Sequence, residues 1–296
     1  MAEISAEKVK ELREKSGAGM MDCKKALAAV GGDLEKAFDH LRKEGTVKAA
    51  KKAGRATSEG LVGVVVSSDK RAAAVVELNC ETDFVARTDQ FLGFLNALGE
   101  LIVKDKPQTL DALLGQKLGG VTVQETLSQM ISKIGENMAI RRFRLVEAGA
   151  KEAVGAYIHA GSKIVSIIKL QGDGVDEPTA RDIAMHVAAM SPRYIDRGQV
   201  PTAVLDREKE VLKASPDLVG KPENILEKIL LGKLNRFYSE ACLAEQPFIK
   251  DVTGKKTVGD CLKEKSAGAK IVEMVRFQVG EVPSRDTALD DAREGS

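Results

Sequence analysis

The sequence has few aromatic residues. Its 296 residues include no Trp, three Tyr and eight Phe. A globular chain with so few rings builds its core mainly from Ala, Val, Leu and Ile. A Phe inside a polar stretch is therefore unusual in this protein, and we treat it as a candidate contact residue.

Long apolar segments are also missing. The longest apolar run, at 61–66, is far shorter than the roughly 20 residues that a helix needs to cross a bilayer. The first residues include early acidic side chains and no apolar core, so we expect neither a secretory signal nor a transit peptide. These features predict a cytoplasmic protein without a membrane span.

Metal-ligand clusters and cofactor motifs are absent from the sequence. The stretch 155–163 has five residues between its glycines and the wrong final order for a P-loop. Gly172 and Gly174 lack the third glycine of a dinucleotide-binding fingerprint. The cysteines are too far apart for a zinc-binding pair and fit free thiols in a reducing cytosol. We therefore predict no cofactor and no metal. The cysteines are Cys23, Cys80, Cys242 and Cys261.

The signatures of common hydrolases are missing as well. The sequence contains neither Gly-x-Ser-x-Gly nor His-Glu-x-x-His. His159 and His186 are the nearest candidates for a catalytic base, but a single His on an apolar face is more often a hydrogen-bonded structural residue. We predict that the protein is not an enzyme, and an enzyme with a His-based site is kept as an alternative.

Residues 1–54 predict a compact module of three helices. Ser5 and Asp33 are placed to cap the first and third helices, and glycines separate the helices. We expect Gly45 to end the third helix. The apolar spacing predicts this set of inward-facing residues: Val9, Leu12, Ala26, Leu27, Val30, Leu34, Ala37, Phe38 and Leu41.

After residue 55 the pattern indicates a duplicated core. Two strand-like runs and an amphipathic helix occur once, and the same order returns after a shift of 92 residues, which aligns Val62-Gly63 with Val154-Gly155. We predict an α+β fold in which a strand-strand-helix unit is duplicated. The predicted core halves are 55–145 for the first, and 146–199 with 241–281 for the second, which ends in a strand at 272–279.

An inserted segment at 200–240 predicts two helices that form an antiparallel hairpin. Its apolar tip, Leu218-Val219, is either a partner contact or a self-packed turn. The hairpin itself could join two copies in a homodimer or simply pack on itself. We expect residues 282–296 to be a disordered tail, a linker or a cloning remnant.

The two core halves differ at the connection between the second strand and the helix. In the second half, 172–178 is a plain polar turn. In the first half, Phe84 and Val85 stand between Glu-Thr-Asp and Ala-Arg-Thr-Asp. Two interpretations remain open: Phe84 folds back over its own sheet as a plug, or it is an exposed wedge that contacts a partner.

Met20 and Met21 form a second unusual apolar pair. They follow Gly-Ala-Gly in a predicted loop between helices, where polar residues are expected. We expect one of them to contribute to the core and the other to contact a helix of another protein.

The charge distribution gives an alternative function. The net charge is only +1, which argues against a protein that coats nucleic acid. Residues 1–55 nevertheless contain thirteen Lys and Arg against nine acidic residues, with the excess at 43–55. We favour a solvated helix and linker because no aromatic residue is interleaved. A nucleic-acid-binding protein that uses 43–55 and the strand 140–144 is the alternative.

Six short stretches, taken in order, resemble the bacterial elongation factor Ts family. The resemblance runs from residue 1 to about 281, and the six stretches together make it specific. They are Gly17-Ala18-Gly19-Met20-Met21-Asp22-Cys23-Lys24-Lys25-Ala26-Leu27, Lys48-Ala49-Ala50-Lys51-Lys52-Ala53, Thr82-Asp83-Phe84-Val85, Lys133-Ile134-Gly135-Glu136-Asn137, Ile183-Ala184-Met185-His186-Val187-Ala188-Ala189 and Gln246-Pro247-Phe248.

The resemblance implies a guanine-nucleotide exchange factor for elongation factor Tu. It implies that the N-terminal module is ubiquitin-associated-like and docks on the GTPase, with Leu12, Met20 and Met21 as contacts. It also implies that Thr82, Asp83, Phe84 and Val85 displace Mg²⁺ from the partner, and that His159 contributes a weaker contact from the second core half. The hairpin matches the family's coiled-coil insertion. The sequence after Glu281 departs from the family pattern, which continues with Gly and a further helix.

Overall fold

The computed structural model describes residues 4–213 and 223–281. Within these residues the chain has a mixed helix and strand architecture, and the predicted α+β class is confirmed. The predicted hairpin tip at Leu218-Val219 and the predicted tail at 282–296 lie outside the described residues. No helix in the described ranges is long and apolar enough to cross a membrane.

The described residues form two compact units. The first comprises 4–65, 74–144 and 278–281, and the second comprises 66–73 and 145–277 with its gap at 214–222. The first unit therefore contains the N-terminal helices together with most of the first core half. The second unit contains the second core half and the described part of the inserted helices.

The N-terminal module consists of α1 (Ala6–Ser16), α2 (Met20–Ala29) and α3 (Leu34–Lys52). Both predicted caps are confirmed: the Ser5 hydroxyl accepts the Lys8 N–H at 3.3 Å, and the Asp33 carboxylate accepts the N–H groups of Glu35 and Lys36 at 3.1 Å. The module closes over a small aliphatic core. Its buried members are Val9, Leu12, Cys23, Ala26, Leu27 and Ala37.

The rest of the first unit is built on a three-stranded sheet with the order β1-β2-β5. The elements in this part of the chain are β1 (Glu59–Val66), β2 (Ala72–Cys80), α4 (Asp83–Ala86), α5 (Asp89–Asp105), α6 (Leu110–Gly115), β3 (Lys117–Leu118), β4 (Val121–Thr122), α7 (Val123–Ile134) and β5 (Met138–Glu147). The sequence patterns indicated β1, β2, α5 and β5, whereas they gave no sign of α4, α6, α7 or the β3-β4 ribbon.

The prediction that Gly45 ends the third helix is wrong. α3 continues to Lys52, and Gly45 is buried near its middle. A Cβ atom at Gly45 would lie 3.9 Å from the Ser128 carbonyl oxygen and from Ser132 Cβ on α7. A larger side chain would therefore find ordinary van der Waals contact rather than a clash, and the packing of α3 against α7 keeps this segment helical despite the poor helix propensity of glycine.

The second unit has an equivalent strand-strand-helix core. Its elements are β6 (Glu152–Ile158), β7 (Ile164–Gln171), α8 (Glu177–Met190), α9 (Thr202–Lys213), α10 (Glu223–Ala241), α11 (Val258–Lys265) and β8 (Lys270–Gln278). The sheet has the order β6-β7-β8, so the C-terminal strand predicted from sequence is confirmed. α8 packs over β6 and β7 and contributes Ile183, Ala184 and Val187 to the core.

The two glycines that the 92-residue shift aligned have the same packing role. A Cβ atom at Gly155 on β6 would lie 2.2 Å from the Arg181 backbone nitrogen on α8. A Cβ atom at Gly63 on β1 would lie 2.8 Å from Leu95 Cγ on α5. In each half, a strand glycine lets the covering helix approach the sheet closely, which supports the interpretation of a duplication.

The inserted helices α9 and α10 contact each other. Near their junction with the core they share a buried cluster that includes Val200, Phe237 and Cys242. The connection between the two helices lies in 214–222, outside the described residues, so the antiparallel arrangement stays a prediction.

Candidate functional site

Phe84 is exposed on a short helix between β2 and α5. The side chain has 80% of its surface accessible, whereas Val85 and Ala86 beside it are buried. α4 is only one turn long, so it presents Phe84 outward while Val85 faces the core. The plug interpretation of Phe84 is therefore wrong, and the buried Val85 supplies the local core contact instead.

Glu136 fixes the start of this helix. Its carboxylate accepts the Thr82 backbone N–H at 3.0 Å and the Thr82 hydroxyl at 2.7 Å. Thr82 is the N-cap residue of α4, and its hydroxyl donates to Glu136 while making no capping bond to the helix. Two charge-assisted hydrogen bonds thus hold one residue, which gives the loop a defined orientation.

A second pair of hydrogen bonds has both of its donors on Asn137. The Asn137 backbone N–H donates to the Glu81 carboxylate at 2.6 Å, and the Asn137 side-chain amide donates to the Arg55 carbonyl oxygen at 2.8 Å. The Asn137 N–H is the main cause that lowers the pKa of Glu81, and the nearby Arg55 guanidinium lowers it further. Glu81 is therefore ionised at neutral pH, and it joins the segment before α4 to the segment before β5.

The far end of α4 is held by the cap of the next helix. The Thr88 hydroxyl donates to the Val85 carbonyl oxygen at 2.8 Å and accepts the Phe91 N–H at 3.3 Å. Phe91, in the first turn of α5, is completely buried. Because both ends are anchored, the exposed ring of Phe84 stands on a pre-organised segment.

Asp83 is the charged neighbour of the exposed ring. Its carboxylate pairs with Arg87 one helical turn later, at 2.8 Å. Exposed pairs of this kind contribute at most about 1 kcal/mol. Asp83 can therefore exchange Arg87 for a polar group of another molecule at little cost.

Met20 and Met21 are exposed, but they do not lie in a loop. They form the first turn of α2, with 58% and 63% of their surfaces accessible. The prediction that one of them belongs to the core is wrong. Leu12 is the opposite case: it is completely buried in the module, so its side chain offers no surface to a partner in this conformation.

The two candidate histidines of the second unit have different environments. His159 is exposed just after β6, with its ring 6.2 Å from that of Tyr157. His186 is fully buried on α8, where Nδ1 accepts the Ile249 N–H at 3.3 Å and Nε2 lies 2.9 Å from Gln246 Oε1. These contacts place the proton on Nε2. Burial lowers the pKa of His186, so it is a neutral structural residue.

Three of the cations proposed for nucleic acid have carboxylate partners within the chain. Lys48 lies 3.5 Å from Asp22, Arg55 lies 3.4 Å from Glu81, and Arg142 on β5 donates to the buried Glu77 at 2.8 Å. Within the described ranges no group of three or more His, Cys, Asp or Glu side chains is arranged to hold a metal ion.

Comparison with known proteins decides the family. A family model described as Elongation factor TS matches residues 81–281, which begins at the Glu81 anchor of the exposed loop. The chain belongs to the elongation factor Ts family. Membership confirms the resemblance drawn from the six sequence stretches, and it identifies the family as one of translation elongation.

Three bacterial members of the elongation factor Ts family cover nearly the whole chain. The relative from Thioalkalivibrio sulfidiphilus is 46% identical over 278 residues, which is 94% of this chain and 92% of its own length. The relative from Pediococcus pentosaceus is 44% identical over 294 residues, or 99% and 98%. The relative from Lactiplantibacillus plantarum is 45% identical over 281 residues, or 95% and 94%.

Sequence reasoning missed how two of the family stretches meet. Thr82-Asp83-Phe84-Val85 and Lys133-Ile134-Gly135-Glu136-Asn137 were separate pieces of the resemblance, and the structure joins them through Glu136 and Asn137. A third and a fourth piece meet at the hydrogen bond between His186 and Gln246. The only sign of these contacts in the sequence was that all four stretches belong to the family pattern.

Proposed function

We propose that this protein is the guanine-nucleotide exchange factor of elongation factor Tu. In this proposal it binds the GTPase, displaces Mg²⁺ and promotes release of GDP so that GTP can bind. The observation that carries the proposal is the exposed Phe84 ring on a segment anchored at both ends. Elongation factor Tu is the proposed partner because the chain belongs to the elongation factor Ts family.

The proposed mechanism is linkage between two binding equilibria. If the protein binds the nucleotide-free GTPase more tightly than the loaded form, nucleotide affinity falls by the same factor. A 100-fold preference corresponds to about 2.7 kcal/mol. Full burial of one large apolar side chain contributes about 1.5–3 kcal/mol, so Phe84 is large enough to provide most of that difference. No covalent step is required.

The residues of the loop have distinct proposed roles. Phe84 enters the GTPase beside its Mg²⁺ site, and Asp83 competes there for polar groups. Thr82 and Val85 position the helix, because the first is bonded to Glu136 and the second is buried. Loss of the metal weakens phosphate binding because Mg²⁺ bridges phosphate oxygens and protein ligands.

Two further contacts belong to the same proposal. Met20 and Met21 dock the N-terminal module on the GTPase, since their exposed thioethers adapt to an apolar surface. His159 gives a weaker contact from the second unit. Exposed Val211 and Leu231 on the inserted helices support a homodimer through the hairpin, which sedimentation of the wild type and Leu231→Lys would test.

The decisive experiment is stopped-flow release of a fluorescent GDP analogue from elongation factor Tu. We expect Phe84→Ala to fold normally and to accelerate release at least about tenfold less than the wild type, in line with loss of 1.4 kcal/mol or more of differential contact. Leu92→Ala is the matched control, because Leu92 is a partly exposed apolar residue on α5. Wild-type acceleration by Phe84→Ala would refute the role of this ring.

A second measurement tests displacement of the metal. When Mg²⁺ is removed with a chelator, GDP release no longer depends on metal displacement, so the difference between wild type and Phe84→Ala should shrink. A difference that stays the same without Mg²⁺ would contradict the proposed step while leaving exchange itself intact.

A further inference from the structure

A cavity of about 390 Å³ lies within the first unit, between the N-terminal module and the helices of the first core half. Its walls come from the α1-α2 loop, α3, α5 and α7. Sites for small organic ligands typically have volumes of about 300–1,000 Å³. The cavity therefore has enough room for one such molecule, and the exchange proposal makes no use of it.

The cavity exists because small residues line its walls. Gly17 and Gly19 form the loop side, Gly45 lies on α3, and Gly93 and Ala97 lie on α5. A Cβ atom at Gly93 would meet nothing within 4 Å. No side chain from these positions fills the space, although α3 and α7 approach closely at Gly45.

The remaining surface of the cavity is largely apolar. Phe38 and Leu41 from α3 face Phe94 from α5 and Met130 from α7. Two of the eight Phe residues of an aromatic-poor chain thus line one cavity. Aromatic and thioether side chains of this kind favour a flat aromatic or branched aliphatic ligand.

The charged residues at the cavity favour an anion. The lining contains three basic side chains, Arg42, Lys48 and Lys133, against the two carboxylates of Asp22 and Glu44. Asp22 is 3.5 Å from Lys48, whereas Glu44 is 3.6 Å from His40, which is a cation only when it is protonated. Lys133 is exposed and has no carboxylate within 4 Å among residues 4–213 and 223–281. Its ammonium lies near the loop, 3.7 Å from the position that a Gly17 Cβ would occupy.

We propose that this cavity is a binding site for a small amphiphilic anion, with an aromatic or branched aliphatic body between Phe38, Phe94 and Met130 and a carboxylate or sulfonate at Lys133. The apolar body gains affinity by leaving water, and the anionic group gains from the cation at the edge. The ligand would contact both the N-terminal module and the first core half.

The test uses 8-anilinonaphthalene-1-sulfonate as the probe, with fluorescence titration of the full chain. We expect saturable binding of one probe per chain. Gly93→Leu should abolish this binding, because Gly93 lines the cavity and an added side chain there meets no atom that would hold it out. Leucine also has a higher helix propensity than glycine, so this variant is expected to stay folded, as checked by circular dichroism and thermal unfolding. Ala97→Phe is a second filling variant.

The charge at Lys133 is tested separately. Lys133→Gln should lower the affinity for the sulfonate probe by about three- to fivefold, the range expected for a partly exposed ion pair. Lys104→Gln, on α5 but away from the cavity, should leave its affinity unchanged. The neutral analogue N-phenyl-1-naphthylamine should bind Lys133→Gln and the wild type equally.

Three results would overturn the proposal. Binding that does not saturate, or that occurs at many sites, would indicate nonspecific adsorption to apolar surface. Unchanged binding by both Gly93→Leu and Ala97→Phe would place the probe elsewhere. Equal affinity of the sulfonate probe for Lys133→Gln and the wild type would exclude the anion preference. None of these readouts involves elongation factor Tu, so their failure is distinct from failure of the exchange function.

Discussion

Thr82 donates two hydrogen bonds to the single carboxylate of Glu136, one from its backbone nitrogen and one from its hydroxyl. The two residues are 54 positions apart in the sequence. This contact fixes the start of the short helix that exposes Phe84. The orientation of the proposed wedge therefore depends on a residue that is not part of it.

Loss of this contact should loosen the loop without unfolding the chain. Hydrogen bonds to charged groups contribute about 1.5–3 kcal/mol each, and less when partly exposed. We expect Glu136→Ala to speed amide exchange at Thr82 by about 10- to 100-fold and to weaken acceleration of GDP release. Native-state hydrogen exchange measures the first effect. Glu100→Ala, an exposed position on α5, is the control, and unchanged protection at Thr82 in Glu136→Ala would contradict the anchoring role.

Gly155→Ala should strongly destabilise the second unit. A Cβ atom there would lie 2.2 Å from the Arg181 nitrogen, and backbone cannot move aside as a flexible side chain can. We expect a loss of about 3 kcal/mol or more in the free energy of unfolding, measured by urea denaturation.

The matched control is Gly232→Ala on α10, where an added Cβ meets nothing within 4 Å. That substitution should be neutral or should stabilise the protein by up to about 1 kcal/mol, as expected for glycine in a helix. Equal effects of the two substitutions would refute the close-approach argument at Gly155.

The buried carboxylate of Glu77 gives a third prediction. It accepts hydrogen bonds from Arg142 at 2.8 Å and from the Gly280 N–H at 3.0 Å. Removing one partner of a buried ion pair leaves an uncompensated charge, which costs about 3–5 kcal/mol. We expect Arg142→Leu to lower the free energy of unfolding by about 3 kcal/mol. The additional substitution Glu77→Leu should recover part of that loss. Simply additive losses in a double-mutant cycle would show that the two residues are not coupled.

The stability of the chain should decline in mild acid because of His186. Burial lowers its folded-state pKa below the usual value of about 6.5, so protons bind more readily to the unfolded chain. The stability that the chain has while His186 is neutral in both states is fully present above about pH 6.5. It is lost as the pH falls below that value, at up to about 1.4 kcal/mol per pH unit. Urea titrations between pH 7.5 and about 5.5 measure the slope.

His186→Gln should flatten that slope, whereas His159→Gln at an exposed site should preserve it. The substitution also removes a packed ring beside Phe248, so it lowers stability at every pH. The prediction concerns only the change with pH. A slope that His186→Gln leaves intact would assign the pH dependence to other groups.

The local patterns predicted much of the fold correctly. Apolar spacing and capping residues identified the three N-terminal helices, and apolar runs rich in β-branched residues identified β1, β2, β6 and β7. The sequence failed at Gly45, where local propensity indicates a helix end and tertiary packing maintains a helix. It also failed at Met20 and Met21, which form the first turn of α2 with Gly19 at the N-cap position.

The sequence by itself determined the family and the unusual position of Phe84, and it predicted the duplicated core, because each is recorded in residue order, spacing or composition. Only the tertiary structure decided that Phe84 is exposed while Val85 is buried, that Glu136 anchors Thr82, and that Leu12 is buried inside its module. The physical reason is that exposure and long-range hydrogen bonds depend on which distant segments pack together. Neighbouring residues in the chain do not specify those partners.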